Sequence, residues 1–231
     1  LAGSLARGVD RLAELALRRV ELVERVLHRV VVLAGPSGSG KSRLAERLNR
    51  RLGWPIVRLD DFYHPVDHPG LPRSEALGIV DWDDPRSWDG EAALTALTLL
   101  LGDGRCEAPI YDLSVSGVVG RRELTCRPAD LVIAEGIFAA EVIDDLRERG
   151  LLHSAWCVRH HPVVTFGLRL ARDLSERRKP PLTLLRRGLV LLRAEPSVVA
   201  SHVAKGARAA SPRRVEQLLT TAAGRHRSEL P

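Results

Sequence analysis

The run Val30-Val31-Val32-Leu33-Ala34 leads into Gly35-Pro36-Ser37-Gly38-Ser39-Gly40-Lys41-Ser42, and no other stretch of this 231-residue chain narrows its fold as much. A short β-branched apolar run reads as a fully buried strand. The octet after it has the G-x-x-x-x-G-K-[ST] spacing of a phosphate-binding loop, in which glycines let the backbone approach a polyphosphate with its N–H groups turned inward. Leu44, Leu48 and Leu52 share one helical face and Gly53 closes it, which predicts a helix over about 41–52 with its N-terminus facing the anion. Gly35, Ser37, Gly38, Ser39 and Gly40 are assigned to the nucleotide phosphates. Lys41 reaches the β- and γ-phosphates, and Ser42 offers a hydroxyl to Mg²⁺. Only three of the 35 basic residues are lysines, so Lys41 stands where a compact ammonium suits better than a guanidinium.

Beyond the octet, strand-like and helix-like segments alternate. Strands are expected at 30–34, Pro55–Leu59, Leu131–Ala134 and Ala155–Arg159, with helices at about 90–101 and 139–149. Short strands and turns are expected over 108–126, and a long functional loop over 64–90, which is rich in Pro, Gly, Asp and Trp. The remainder reads as mainly helical, broken at Pro180-Pro181, Pro196 and Pro212. The pattern predicts an α/β chain: a P-loop NTPase-type three-layer α/β/α fold with a central, mostly parallel sheet and a helical lid. Residues 1–28 read as an N-terminal amphipathic helix packed on a P-loop domain over 29–231.

Composition excludes several classes. Hydrophobic residues make up 45% and charged residues 28%, ordinary for a soluble globular protein. No apolar run approaches the roughly 18 residues of a membrane helix, and charges interrupt the first 29 residues, so a cytoplasmic protein is expected. The chain contains no Met, so residue 1 reads as the start of a trimmed fragment rather than an initiator. Cys106, Cys126 and Cys157 are widely spaced without a C-x-x-C pair, which argues for incidental thiols over a disulfide framework or a zinc site. His160-His161 have no matching Cys/His set and read as structural. The net charge of +6 is spread along the chain without an aromatic–basic platform, so the expected partner is an anionic small molecule, with neither nucleic acid nor membrane; an oligomer stays open.

In open α/β sheets ligands sit beyond the carboxyl ends of the strands. The octet follows one strand, Asp60 a second and Glu135 a third, so all three are expected at one edge. Phosphoryl transfer needs held phosphates, charge neutralisation and a base beside the acceptor hydroxyl. Asp60 is the candidate base, its competing role being to cap the turn that follows, and Asp61 points elsewhere if the chain is extended there. Glu135 is the candidate Mg²⁺-linked acid, against the alternative of an ordinary strand-end carboxylate. In FGLRLARDLSERRK, Arg169 and Arg172 share a helical face ahead of Arg177, Arg178 and Lys179. The segment reads either as a basic element closing over ATP or as a solvated helix paired with Asp173 and Glu176.

Six ordered stretches together resemble the uridine kinase-like P-loop kinases, a group that includes phosphoribulokinases and pantothenate kinases. They are the octet, Leu59–Tyr63, Asp81–Pro85 with Trp88-Asp89, Pro109–Asp112, Ala134–Phe138 and Arg172–Arg177. The resemblance runs from about Val30 to Lys179 and implies ATP- and Mg²⁺-dependent phosphorylation of a nucleoside 5′-hydroxyl. It further implies Asp60 as base, Asp83 on the ribose hydroxyls, and Tyr63 and Tyr111 on the acceptor. Arg172 and Arg177 become lid residues touching phosphate, Arg172 also reaching the acceptor, with Lys179 where the family often has another arginine. Ser116 stands where uridine–cytidine kinases carry the histidine that reads the pyrimidine, and the tail after Pro180 diverges. Pantothenate or a sugar phosphate is therefore the alternative acceptor. An NTPase acting on a protein or nucleic-acid partner is a further class, although the chain has no N-K-x-D element for guanine.

Overall fold

In the computed structural model of the chain, the described residues are 29–73, 79–127, 130–160, 164, 167 and 181–228. The expected helix over 1–28 and the lid segment with Arg169, Arg172, Arg177 and Lys179 lie outside them.

Strand β1 (Val30–Ala34) is buried on both faces and occupies the centre of a five-stranded sheet. Its neighbours are β5 (Val132–Glu135) on one side and β6 (Leu152–Val158) on the other. Strand β2 (Ile56–Arg58) lies outside β5, and β7 (Arg208–Ala210) lies outside β6, giving the order β2-β5-β1-β6-β7 with every pairing parallel. Alternation along β1 splits the core in two. Val30, Val32 and Ala34 face one cluster with Leu97, Leu100, Ile143 and Leu146; Val31 and Leu33 face another with Leu44, Leu48, Trp156 and Leu219. The first cluster is closed by helices α2 (Gly90–Asp103) and α3 (Ile143–Glu148), with Val199 from α4 (Pro181–Ala204). The second is closed by α1 (Lys41–Leu52) and α5 (Pro212–Ser228). The result is the expected three-layer α/β/α arrangement.

Strands β3 (Arg105–Asp112) and β4 (Gly117–Thr125) form an antiparallel hairpin of their own, separate from the central sheet. Three expectations are corrected. Pro196 lies inside α4 instead of breaking it: its missing N–H removes one helical bond, and buried contacts at Val199 and His202 hold the turns beyond it. The helix expected over 139–149 forms only at Ile143–Glu148, because Gly136–Val142 runs through turns that place Phe138, Ala139 and Val142 in the core. The tail also contains β7, whose Arg-Ala-Ala sequence has no strand preference and pairs only because β6 offers Trp156, Cys157 and Val158 as partners.

All three cysteines are free thiols. No helix among the described residues is long and apolar enough to cross a membrane.

Candidate active site at the carboxyl edge

The strand order sets the site. Because β2, β5 and β1 are consecutive, the Asp60 turn, Glu135 and the phosphate loop leave the sheet side by side; Glu135 is in register with Arg58 on one side and Leu33 on the other.

The loop itself is built on glycine. Gly35, Gly38 and Gly40 have φ of 139°, 81° and 87°, where L side chains are strained. A Cβ on Gly35 would run into the Val158 carbonyl oxygen. Gly40 is the N-cap of α1 and supplies no side-chain cap. Ser39 is fully buried, and its hydroxyl has no hydrogen-bond partner among the described residues. Lys41 is 5% exposed and donates from Nζ to the carbonyls of Gly35 (2.9 Å) and Pro36 (3.2 Å). Uncapped helix amides, an orphaned hydroxyl and a buried ammonium together fit a polyphosphate. His160 lies against the same loop, its Nε2 3.8 Å from where a Gly40 Cβ would stand, while His161 is outside the described residues.

Ser42 opens the next layer. Its hydroxyl donates to Glu135 Oε2 at 3.2 Å, and Glu135 is 4% exposed. A hydroxyl beside a carboxylate is a pair of hard oxygen donors and fits Mg²⁺. Burial lifts the Glu135 carboxyl above the usual range; the Lys41 ammonium pulls it back, and the neighbouring Asp60 charge pushes the same way as burial.

Asp60 sits on a single 3₁₀ turn, Leu59–Phe62, directly after β2. Its Oδ1 accepts the Ile137 N–H at 2.8 Å, reaching over Gly136, where a Cβ would lie 2.7 Å from that oxygen. Trp88 steadies the turn from below by donating its indole N–H to Leu59 O at 2.6 Å. Burial raises the Asp60 carboxyl, against the Lys41 ammonium and the Ile137 N–H. Asp61 does point elsewhere: it pairs with Arg122 Nη2 at 2.7 Å and accepts the Tyr111 N–H at 3.4 Å.

Beside Asp60 lies an aromatic group. Tyr63 is buried with its ring 5.6 Å from Trp82, 5.7 Å from Tyr111 and 5.8 Å from Phe138; Trp88 packs on Phe138 at 5.8 Å. These five are more than half of the nine Phe, Trp and Tyr residues in the chain. Tyr63 donates to Trp82 O at 3.1 Å, and Tyr111 to His64 O at 3.4 Å. Burial, with the nearby Asp60 and Asp83 carboxylates, raises the Tyr63 phenol, so it stays a neutral donor. Asp83 lies on this rim, its backbone N–H bonded to Asp81 Oδ1 at 3.1 Å. Ser116 is at the tip of the hairpin with φ 49°, its hydroxyl turned back to Leu113 O at 3.4 Å.

The structure thus brings together Gly35–Ser42, Asp60, Tyr63, Tyr111 and Glu135. Sequence reasoning missed Gly136, whose only signal is its place after Glu135. It also missed the Asp61–Arg122 pair, which depends on hairpin register and has no local signal.

The chain is similar to known proteins. The model of the phosphoribulokinase / uridine kinase family matches residues 30–180. The uridine kinase of Macrococcus caseolyticus is 27% identical over 165 residues, covering 71% of this chain and 78% of that protein. The inorganic pyrophosphatase TTM2 of Arabidopsis thaliana is 35% identical over 113 residues, which are 48% of this chain but 15% of that protein. Among solved structures, a putative fructose transport system kinase from Silicibacter sp. TM1040 superposes with a TM-score of 0.57 at 20% identity, over 80% of this chain and 88% of that one. That likeness speaks to the fold alone. The family match carries membership, because it starts at the first strand and runs to the end of the basic segment: the chain belongs to the phosphoribulokinase / uridine kinase family of kinases.

Proposed function

We propose that this protein transfers the γ-phosphoryl group of ATP to the hydroxyl of a small acceptor, and that the acceptor is a nucleoside presenting its 5′-hydroxyl. One observation carries the reading: a part-buried carboxylate, Asp60, held by the Ile137 N–H at the strand end next to the Lys41 loop and beside an aromatic group. In the proposed step Asp60 accepts the acceptor's hydroxyl proton as its oxygen bonds to the γ-phosphorus. The bond from that phosphorus to the β–γ bridging oxygen breaks, and ADP leaves. Lys41 and the loop amides hold the phosphates in place and balance their charge. Ser42 and Glu135 would hold Mg²⁺, which supplies charge neutralisation on the phosphates.

On the acceptor side, Tyr111 and Trp82 offer faces on which a planar base stacks, with Tyr63 packed behind them, and Asp83 is assigned the ribose hydroxyls. Arg172, Arg177 and Lys179 are assigned to the lid from the family resemblance, touching phosphate as it closes. The protein acts in the cytoplasm on this reading, where ATP is at hand. Ser116 favours a second acceptor class: a half-buried serine folded onto its own turn offers no imidazole to a pyrimidine, so a non-nucleoside alcohol such as pantothenate or a sugar phosphate competes.

ATP turnover with purified protein, measured against a panel of nucleosides, pantothenate and sugar phosphates, decides between them. Stimulation by one acceptor names it. Equal turnover with and without every acceptor refutes the kinase reading.

A further inference from the structure

The β3–β4 hairpin carries Tyr111 but shares no ladder with the central sheet, so something else must fix it against the base. Asp61 does this. Its Oδ2 receives Arg122 Nη2 from β4 at 2.7 Å, and its other carboxylate oxygen receives the Tyr111 N–H from β3 at 3.4 Å. Two more bonds close the ring: Tyr111 Oη donates to His64 O at 3.4 Å, and the Val66 N–H to Ser116 O at 3.0 Å. Asp60 and Asp61 are consecutive on one four-residue turn, so whatever holds Asp61 also fixes where Asp60 points. The pair is part-buried on both sides, which shields it from the screening that makes open surface pairs weak.

We propose that Arg122 is a positioning residue for phosphoryl transfer: through Asp61 it locks the hairpin onto the turn that carries Asp60, setting the distance between the acceptor and its base. The role rests on the acceptor reading above, and its first test does not depend on it. Arg122 touches no reacting atom. A guanidinium reaches Asp61 across the strand where a neutral chain of similar length would leave the carboxylate half-buried beside one long N–H bond.

Amide hydrogen exchange on the full chain reads the lock directly, because the Ile137 N–H reports the pose of Asp60 and the Tyr111 N–H reports the hairpin. Arg122→Met should speed exchange at both amides by roughly tenfold, the scale of one charge-assisted hydrogen bond. A tie that merely staples the hairpin would speed Tyr111 and leave Ile137 at the parent rate, and that result overturns the proposal. If the Met variant fails to fold, Arg122→Gln, neutral and shorter, replaces it, and an unchanged Ile137 rate there overturns the proposal equally.

In turnover with uridine as the probe, Arg122→Met should raise KM for uridine roughly tenfold while KM for ATP stays within about twofold. Asp61→Asn combined with Arg122→Met should be no worse than either alone, since the two act as one unit; additive losses count against it. Should the parent protein leave uridine untouched, only uridine is ruled out and the nucleoside panel decides the acceptor, while exchange at Ile137 still decides the role of Arg122.

Discussion

Gly136→Ala adds one methyl group and tests the geometry of the proposed base more cleanly than removing the base does. The new Cβ would lie 2.7 Å from Asp60 Oδ1, 3.0 Å from Leu59 Cβ and 3.3 Å from the Asp60 amide nitrogen. A carbon–oxygen contact settles at about 3.3 Å or more, so the carboxylate must retreat by roughly 0.6 Å. Gly136 is not among the residues with positive φ, so alanine adds no backbone strain, and the effect is the contact alone. Retreat stretches the 2.8 Å bond from the Ile137 N–H and carries Asp60 away from the acceptor hydroxyl. Misplacement by 1 Å costs about 10²-fold in rate, so a shift somewhat over half that predicts a fall in kcat of roughly 10- to 30-fold. KM for ATP should hold within about twofold, because the phosphate loop hangs from β1 and not from this turn. Steady-state kinetics with the acceptor identified by the panel, alongside a thermal melt to confirm folding, provide the measurement. A folded Gly136→Ala protein with parental kcat would refute both the crowding and the placement of Asp60 as base.

Three further substitutions test the same structure. Asp60→Asn should lower transfer by at least ~10²-fold with ATP binding intact. The substitution should also raise the melting temperature at pH 8, since burial lifts the folded pKa above the unfolded value, so the folded state binds more protons between the two and stability falls as pH rises through that window. The gain must vanish below the unfolded pKa, where both side chains are neutral, and a gain that persists there would refute burial as its cause. For the same reason the acid limb of kcat/KM in the parent should fall above the ordinary aspartate value of 3.8, and its disappearance from a residually active Asp60→Asn protein is the check. Ser42→Ala removes the hydroxyl that donates to Glu135, and the Mg²⁺ concentration giving half-maximal activity should rise about tenfold or more in a MgCl₂ titration. Arg29→Met removes buried donors to the carbonyls of Asp130, Leu101 and Arg127 at the opposite, amino end of the sheet. It should cost about 3 kcal/mol in urea unfolding with unchanged ATP affinity; weakened ATP binding would mean the two edges are coupled.

Legibility in the sequence tracked how locally each feature is encoded. The phosphate loop and α1 were readable because eight consecutive residues specify the turn and the next twelve specify one helical face. The register of Asp60 and Glu135 at one edge was readable because both end apolar runs, and a parallel sheet brings such ends together. Asp61 faces away from Asp60 although the chain there is a 3₁₀ turn and not the extended strand on which that expectation rested, and its partner has no local signal. The β3–β4 ladder carries a register shift between Ile110 and Tyr111, and a slip of one residue would offer Arg121 in place of Arg122. Strand β7 had no residue preference to betray it. Pro196 misled because a proline rule about local backbone was overridden by burial of the turns that follow.

The same contrast explains why the donor half of the proposed reaction is better defined than the acceptor half. Phosphates are recognised by backbone amides, one lysine and one hydroxyl, all within a contiguous loop, so a match to that loop transfers nearly whole between relatives. The acceptor side of the proposed reaction draws on residues 60–63, 82–83, 88, 111 and 138, which come from the 3₁₀ turn, the connection after it, β3 and the turn after β5 and are joined by ring contacts and long hydrogen bonds. A change in the hairpin turn, such as Ser116 with its left-handed backbone, alters what that side reads without disturbing Asp60, which is anchored from β5 through Ile137. Base and acceptor contacts therefore sit on separate elements and are coupled through Asp61 and Arg122. A chain of this family can keep its phosphoryl chemistry while its acceptor changes, and membership of the phosphoribulokinase / uridine kinase family leaves the acceptor of this protein open.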